Sequence, residues 1–390
     1  MFEQILSYFR FNTIEIVAMS LLLFFFIVIL FYYLFYYRKP YIAAKEGDNS
    51  YALSDEHPLV SLVIVSENEV DSLKDNLPLF LTQDYKNYEV IVVNNGSTDE
   101  SDELLRSLEL QYPNLYHTYL PYSEDRKLAR NKLALTLGFK AAKGEILLLT
   151  EPYCKPVSNK WISSIISKFA PGKDIVLGYS YYKKEPHFYN RIARFDNLFF
   201  SMQYLSMAIK NDPYTGVYRN LAFKKHLFFD NKGFASLLNL ENGEEIFVNQ
   251  IMTQDNTAVA LSHDSFIETK LEHYSLWRRI KKSYSLAKGH FKNKTAIMNF
   301  RTEIIFRYAF YILFAGVTAY SIMNQHWALL GISIFLFLLN LITRTILFNK
   351  LSSYFHSGRF RFSFIVMDIL QPLYNFKMKS WSNGRVKANK

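Results

Sequence analysis

From Pro58 onward the chain alternates two patterns of apolar residues. Residues 59–65, 88–93, 115–120 and 146–149 are short apolar runs bounded by polar or turn residues. They have the length of strands and are too short for helices. Between them, residues 70–81, 99–110 and 127–142 place apolar side chains at helical spacing. In the last of these, Leu128, Leu133, Ala134, Leu137 and Ala141 fall on one stripe. This alternation predicts an α/β domain with a mostly parallel sheet and helices on both faces. The run at 146–149 stops at Thr150-Glu151-Pro152. Pro152 has no N–H for a central ladder, so the strand ends there and leaves Glu151 at its carboxyl end. In open α/β sheets that edge is where ligands gather.

Three longer apolar segments lie outside this region. Residues 16–37 carry no charge, residues 304–323 are broken only by Arg307, and residues 326–348 hold Arg344 near their end. Each is long enough for a bilayer core of about 30 Å. The first is too long for a signal peptide and lacks a small-residue cleavage site. It closes instead on Tyr32, Tyr33, Tyr36, Tyr37, Arg38 and Lys39, an aromatic belt and a basic stop. The turn at Asn324-Gln325 predicts an antiparallel hairpin. Arg278, Arg279, Lys281, Lys282, Lys288, Lys292, Lys294 and Arg301 precede the hairpin, and Arg359, Arg361, Lys377, Lys379, Arg385, Lys387 and Lys390 follow it. The positive-inside rule then predicts a multi-pass protein of the cell inner membrane, with the amino terminus outside and the domain and carboxyl terminus cytoplasmic.

The expected organisation is an anchor (1–39), a linker (40–57), a cytoplasmic domain (58–285), a basic segment and hairpin (286–350), and an interfacial helix with a basic tail (351–390). Residues 187–209 read either as a core helix or as one lying in the membrane interface. Residues 360–376 contain Arg361, Asp368 and Pro372, which favours an interfacial helix over a fourth span.

Composition adds to this picture. Lys and Arg number 45 against 35 Asp and Glu, for a net charge of +10, and 17% of residues are aromatic. Together these point to a lipid bilayer surface and not to nucleic acid, whose binding signatures are lacking. A single cysteine, Cys154, excludes an internal disulfide and reads as a small buried residue. His57, His117 and His263 show no metal-ligand spacing.

Three strand ends carry polar groups: residues 66–69, 94–99 and 150–154. Asn94 and Asn95 offer amides to a base or ribose, Gly96 permits a turn, and Ser97, Thr98 or Asp99 can cap the next helix. The same residues also read as an ordinary turn with a good cap. Glu244 and Glu245 read either as acids in the first turn of a solvated helix or as a catalytic pair. Arg219 reads as a surface charge or as a phosphate contact.

In order along the chain, these motifs resemble those of the membrane-anchored inverting glycosyltransferases of family 2, over roughly residues 58–285. Asn68-Glu69 resembles the NE after the family's first strand. Asn94 to Asp99 resembles DDGSTD, with Asn95 at the position that contacts the nucleoside. Ala129-Arg130-Asn131, followed by Gly138, Ala141, Ala142 and Gly144-Glu145, resembles the next helix and strand start. Thr150 to Cys154 lies where the family has TDADC, Gly216 to Phe223 where it has GxxRNLAY, and Gly243-Glu244-Glu245 where it has its base motif. The resemblance implies a GT-A nucleotide-sugar-binding fold. It also implies a nucleotide-diphosphate sugar as donor, most simply a UDP-sugar, and a glycan or lipid-linked acceptor at the cytoplasmic membrane face, in polysaccharide biosynthesis. Implied donor contacts are Asn68, Glu69, Asn95, Asp99, Arg130 and Arg219. Glu151 would hold Mg²⁺ or Mn²⁺ in a weakened site, and Glu245, with Glu244 beside it, would be the base.

The departures are specific. The metal pair has become Glu151 and Tyr153, the nucleoside-site acid has become Asn95, and the base motif is Glu-Glu. Past Trp277 the QxxRW motif is not reproduced. These changes admit a second reading: a non-catalytic membrane subunit that binds a nucleotide sugar, a glycan or a partner protein in a complex.

Overall fold

The computed structural model describes residues 10–46, 57–123, 129–240 and 243–388. The strands are β1 (Val60–Ser66), β2 (Tyr88–Asn94), β3 (Leu115–Tyr119), β4 (Ile146–Thr150), β5 (Cys154–Pro156), β6 (Ile175–Gly178), β7 (Ser180–Tyr182), β8 (Leu221–Lys224), β9 (Thr257–Ala260) and β10 (Ile267–Thr269). Seven form one sheet in the order β3-β2-β1-β4-β8-β6-β9, and β5-β10-β7 form a second. β3, β2, β1 and β4 are mutually parallel, and β8 is antiparallel to both β4 and β6. The sheet is thus mainly parallel, as the strand–helix alternation predicts.

Register aligns the strand ends that matter. Ser66 pairs with Asn94, and Ile64 pairs with Thr150, so β1, β2 and β4 all finish at one edge. Because β8 runs the other way, its first residue, Leu221, sits opposite Leu149. The segment just before β8, which carries Arg219, is therefore delivered to the same edge.

Ten of the helices are α1 (Thr13–Tyr32), α2 (Lys39–Lys45), α3 (Val70–Leu81), α4 (Ser101–Gln111), α5 (Arg130–Ala141), α6 (Trp161–Ile166), α7 (Phe188–Ile209), α8 (His226–Asp230), α9 (Gly243–Ile251) and α10 (Tyr274–Ala287). Three more complete the chain: α11 (Thr295–Met323), α12 (Trp327–Tyr354) and α13 (Phe364–Ala388). α5 packs closely on the parallel strands at Gly138, where a Cβ would lie 2.6 Å from Val63 Cγ1. The helix expected from Lys127 begins at Arg130; Lys127 and Leu128 lie outside the described residues. α4 begins at Ser101 and not at Asp99, because the Asp99 carboxylate accepts from the Ser101 N–H and hydroxyl instead of entering the helix.

Of the two readings for residues 187–209, the structure selects the core helix. Ile192, Phe195, Leu198, Phe199, Met202 and Leu205 of α7 are all buried. The expected linker starts as helix α2, and residues 47–56 lie outside the described residues.

Three segments, Thr13–Lys45, Thr295–Met323 and Trp327–Tyr354, are long and apolar enough to cross a membrane. Leu21, Phe24, Ile27, Phe31 and Phe35 are exposed along the first, as a lipid-facing stripe requires. A π-helical turn, Tyr33–Tyr37, follows α1 and turns Tyr33 and Tyr37 into the core. α11 and α12 pair as the expected hairpin. α13 lies against α10 and α7 and does not qualify as a fourth span among the described residues.

Candidate active site

The shared edge of β1, β2 and β4 carries the predicted polar groups. Glu151, half-buried just past β4, is its centre. No hydrogen bond or ion pair to its carboxylate occurs among the described residues. Burial pushes the carboxyl above its usual range. Arg219 and Arg279 pull it back, while Glu69 and Glu244 push it further up. Residues from four separate segments thus act on one carboxylate. The position of the family's second metal-site acid is filled by Tyr153, which is packed in the core. No group of three or more His, Cys, Asp or Glu side chains gathers as a metal cage among the described residues. Among the described residues of this edge, Glu151 offers an uncommitted oxygen pair, and one carboxylate with phosphate oxygens and waters is a sufficient set for Mg²⁺-type cations.

Arg219 is not a surface charge. It is 4% exposed; its Nε donates to Ser180 Oγ at 3.3 Å, and its guanidinium lies over the Tyr182 ring at 5.3 Å. Thr150 Oγ1 donates to the Arg219 carbonyl at 3.1 Å, which ties the end of β4 to this segment.

The side of the edge formed by β1 and β2 is held by a closed set of hydrogen bonds. Asn68 takes a left-handed backbone (φ 54°), its N–H donates to Ser97 Oγ, and its Oδ1 accepts from the Thr98 N–H at 2.8 Å. Asp99 Oδ2 accepts from the Val70 N–H at 3.0 Å, so one carboxylate serves the starts of both α3 and α4. Gly96 (φ 71°) leaves room for Arg130, which donates to the Asn95 carbonyl and, at 3.0 Å, to Glu67. The side chains of Asp99 and Arg130 are therefore spent on the loops, and they act on the edge by holding it. Asn95 differs: it is 3% exposed, and its Oδ1 is buried without a partner. A buried acceptor left open is costly unless a ligand fills it. Glu69 accepts from Ser72 Oγ at 2.9 Å, and burial raises its carboxyl, with Glu272 adding to the rise and Arg279 opposing it.

The opposite wall is the start of α9. Glu244 Oε1 accepts from Asn131 Nδ2 at 2.6 Å, and its carbonyl accepts from the Tyr218 hydroxyl. Glu245 Oε1 accepts from Ser283 Oγ, while Oε2 is buried with no partner. Burial first, then the Glu244 charge, pushes the Glu245 carboxyl up to about 7 against the pull of Ser283. That value and a free oxygen are what a general base near neutrality needs. The two acids are not a solvated helix start, since Glu244 is buried and Glu245 half-buried.

Two contributors from α10 carry no sequence signal: Ser283, and Arg279, which faces Glu151 and Glu69 electrostatically. They lie four residues apart on one helical face. In place of QxxRW, an amphipathic pattern alone marks this helix. Lys281, read as a membrane flank, instead pairs with Asp196 at 2.6 Å. Cys154 is buried against Thr269, with its thiol pushed up to about 12 by burial.

A mainly parallel sheet whose polar strand ends are faced by an acid-bearing helix, followed by helices long and apolar enough to cross a membrane, is the architecture of a GT-A fold. Residues 61–229 match the profile of the Glycosyl transferase family 2. Glycosyltransferase AglE of Haloferax volcanii is 31% identical over 124 residues, which is 31% of this chain and 39% of that relative, so the chain aligns with about two fifths of its length. The fold is similar to that of the mannosyltransferase PcManGT from Pyrobaculum calidifontis, solved in complex with GDP-Man and Mn²⁺. The TM-score is 0.53 at 17% identity, covering 83% of this chain and 96% of that one.

Proposed function

We propose that the chain is an inverting glycosyltransferase that moves a sugar from a nucleoside diphosphate to a hydroxyl of a membrane-borne glycan or lipid-linked acceptor at the cytoplasmic face. The observation that carries this is Glu245, raised to about 7 with one oxygen unpartnered, on the same cleft as Glu151. The acceptor hydroxyl gives its proton to Glu245 Oε2 as its oxygen bonds to the anomeric carbon. The bond from that carbon to the diphosphate oxygen breaks with its electron pair, and the sugar inverts. Glu244, held by Asn131 and Tyr218, keeps α9 in place and its charge keeps Glu245 basic.

Arg219 and Arg279 supply positive charge where the diphosphate leaves. A divalent cation held by Glu151 would neutralise the same developing charge. The mannosyltransferase solved with Mn²⁺ supports that use here. Asn95 Oδ1 suits a ligand N–H, such as uracil N3–H. Guanine N1–H offers the same donor, so the UDP-sugar expected from the family and a GDP-sugar are both tested.

The experiment uses the full chain in detergent. Donor binding and sugar release are measured with UDP- and GDP-sugars, with and without Mn²⁺ or Mg²⁺. Glu245→Gln is expected to lower turnover by about 10²- to 10⁴-fold with donor affinity kept, and Glu151→Ala to weaken donor binding. Donor binding without turnover in the unaltered chain would favour the non-catalytic subunit, and no donor binding at all would overturn the transferase reading and leave only a subunit that binds a glycan or a partner protein.

A further inference from the structure

Arg194, in the second turn of α7, is a buried charge without a counter-charge. It is 7% exposed, and its Nε is buried with no hydrogen-bond partner. Its Nη1 donates to the Ser357 carbonyl at 3.2 Å, in the loop that joins α12 to α13. A neutral carbonyl satisfies one N–H and leaves the charge unmatched. Arg191, one turn earlier and exposed, adds a second cation. The two guanidiniums lie 6.0 and 5.9 Å from the centre of one ring, that of Phe360. Burial, then the charge of Arg191, lower the pKa of Arg194, and no acid pulls it back up.

Neither arginine forms an ion pair among the described residues. The acids of the surrounding elements are spent elsewhere. Asp196, two residues further along α7, pairs with Lys281 and accepts from Gln371 and Asn375. Glu268, whose charge acts on His356 of the loop, pairs with Lys155 at 3.1 Å and accepts from the Tyr181 hydroxyl. A buried charge is ordinarily paired, so this one calls for an anion from outside the chain.

The loop is shaped around the guanidinium. Gly358 has φ 96°, and a Cβ there would collide with Arg194 Nη1. Arg359 and Arg361 are exposed in the same loop, and Phe362 is 98% exposed beside them. The loop follows directly on α12, which is long and apolar enough to cross a membrane. Arginines around a bare aromatic side chain at the end of such a helix suit a surface of acyl chains and anionic headgroups.

We infer that Arg191 and Arg194, with the loop at residues 355–361, bind an anionic phosphate group carried by a lipid at the bilayer surface. A guanidinium presents its donors in a fork that fits two phosphate oxygens, and the phosphate supplies the counter-charge that the fold omits. Arg194 belongs to the core helix of the soluble domain, and the loop belongs to the membrane helices. The Tyr179 hydroxyl already bonds the Phe355 carbonyl and Ser357 Oγ across this junction, both at 2.9 Å. A bound headgroup fastens it further.

The test reads binding directly and needs no sugar donor, so its outcome is separate from that of the transferase reading. The full chain in detergent is titrated with phosphatidic acid, with phosphatidylcholine and with inorganic phosphate. Bound molecules are counted by native mass spectrometry, and thermal unfolding is followed in parallel. Wild type is compared with Arg191→Gln, Arg194→Met and the double variant. Arg194→Met removes an unpaired buried charge, so without lipid it is expected to unfold no lower than wild type. Should it fail to fold, Arg191→Gln with Arg359→Gln, both at exposed positions, carries the same comparison. Phosphatidic acid retained over phosphatidylcholine and raising the unfolding temperature, with retention falling by about tenfold or more in the double variant, supports the inference and assigns the lipid. Saturable binding of inorganic phosphate, lost in that variant and without preference for phosphatidic acid, supports the phosphate site and assigns the free ion. Binding of neither, or equal binding by wild type and a folded double variant, overturns it.

Discussion

Ser283 Oγ donates a hydrogen bond to Glu245 Oε1 across 38 residues of sequence. The contact joins α10, which precedes the long apolar helix α11, to the acid-bearing start of α9. It stabilises the carboxylate against burial and the neighbouring Glu244 charge, both of which favour the protonated form.

A pH dependence follows from that balance. The base works deprotonated, so turnover is expected to rise with pH through about 7, the value to which Glu245 is pushed. Ser283→Ala removes a bond that favours the carboxylate, so the midpoint moves upward. A hydrogen bond to a charged group contributes about 1.5–3 kcal/mol, which corresponds to a shift of about one unit or more. Ser283→Thr, which keeps the hydroxyl, is expected to leave the midpoint in place. A pH–rate profile of the three proteins checks this. An unchanged midpoint in Ser283→Ala would remove Glu245 from the base role.

Arg279 is exposed at the mouth of the cleft, where its charge acts on Glu151 and Glu69. Arg279→Ala is expected to weaken donor binding by roughly 10- to 100-fold, the size of a lost charge-assisted phosphate contact. Arg279→Gln should behave the same way, because the effect is one of charge. Both variants should fold, since the side chain is not in the core. Binding isotherms for the nucleoside diphosphate and for the free nucleoside separate the cause: only the diphosphate should lose affinity.

The parallel half of the fold is readable in the sequence because its strands are continuous apolar runs between helices of helical period. Val70–Leu81 is matched end to end. The polar edge of the sheet is readable for the same reason, as the polar residues ending those runs must meet where parallel strands finish. Arg219 needs more. Its place depends on β8 running antiparallel beside β4, a pairing between segments about seventy residues apart that no local pattern announces. Arg279 and Ser283 are hidden further, on a helix whose spacing reads as a basic membrane flank. Arg307, Arg344 and Asp368 read one at a time as interruptions of apolar segments, because charge pairing between helices leaves no periodic trace.

Those three interruptions form one cluster. Arg307 Nη1 and Arg344 Nη2 each lie 2.5 Å from Asp368 Oδ1, and the Tyr311 hydroxyl donates to Oδ2 at 2.7 Å. Arg344 also donates to the Tyr33 hydroxyl at 3.2 Å, so the π-helical turn after α1 meets α11, α12 and α13 at this point. Breaking a buried pair from one side leaves uncompensated charge and costs about 3–5 kcal/mol. Asp368→Ala leaves two buried cations facing one buried anion, Glu303, and is expected to lower the unfolding temperature in detergent sharply. Glu303, buried with its Oε1 3.5 Å from Arg307 Nε, is the fourth charge of the cluster, so replacing Arg307 and Arg344 by Met together with Asp368→Leu and Glu303→Gln removes all four and should recover most of the loss. Equal stability of Asp368→Ala and wild type would show that the cluster is solvated in the membrane protein.

The two ends of the membrane bundle predict its orientation. At one end Asn12 Nδ2 donates to the Tyr320 hydroxyl, and His326 Nδ1 meets Glu15 Oε1 at 3.0 Å, which brings the start of α1 beside the hairpin turn. At the other end the Tyr32 hydroxyl donates to Asn299, next to the soluble domain. The basic residues flank this second end, so it should face the cytoplasm and the hairpin turn should face outward. The native thiol is a silent background: Cys154 is the single cysteine, is buried, and has its ionisation pushed up to about 12. Asn324→Cys is therefore expected to react with a membrane-impermeant maleimide in intact cells, and Lys387→Cys only after permeabilisation. Labelling of Lys387→Cys in intact cells, with Asn324→Cys protected, would invert the topology and move the proposed transfer reaction to the other face of the membrane.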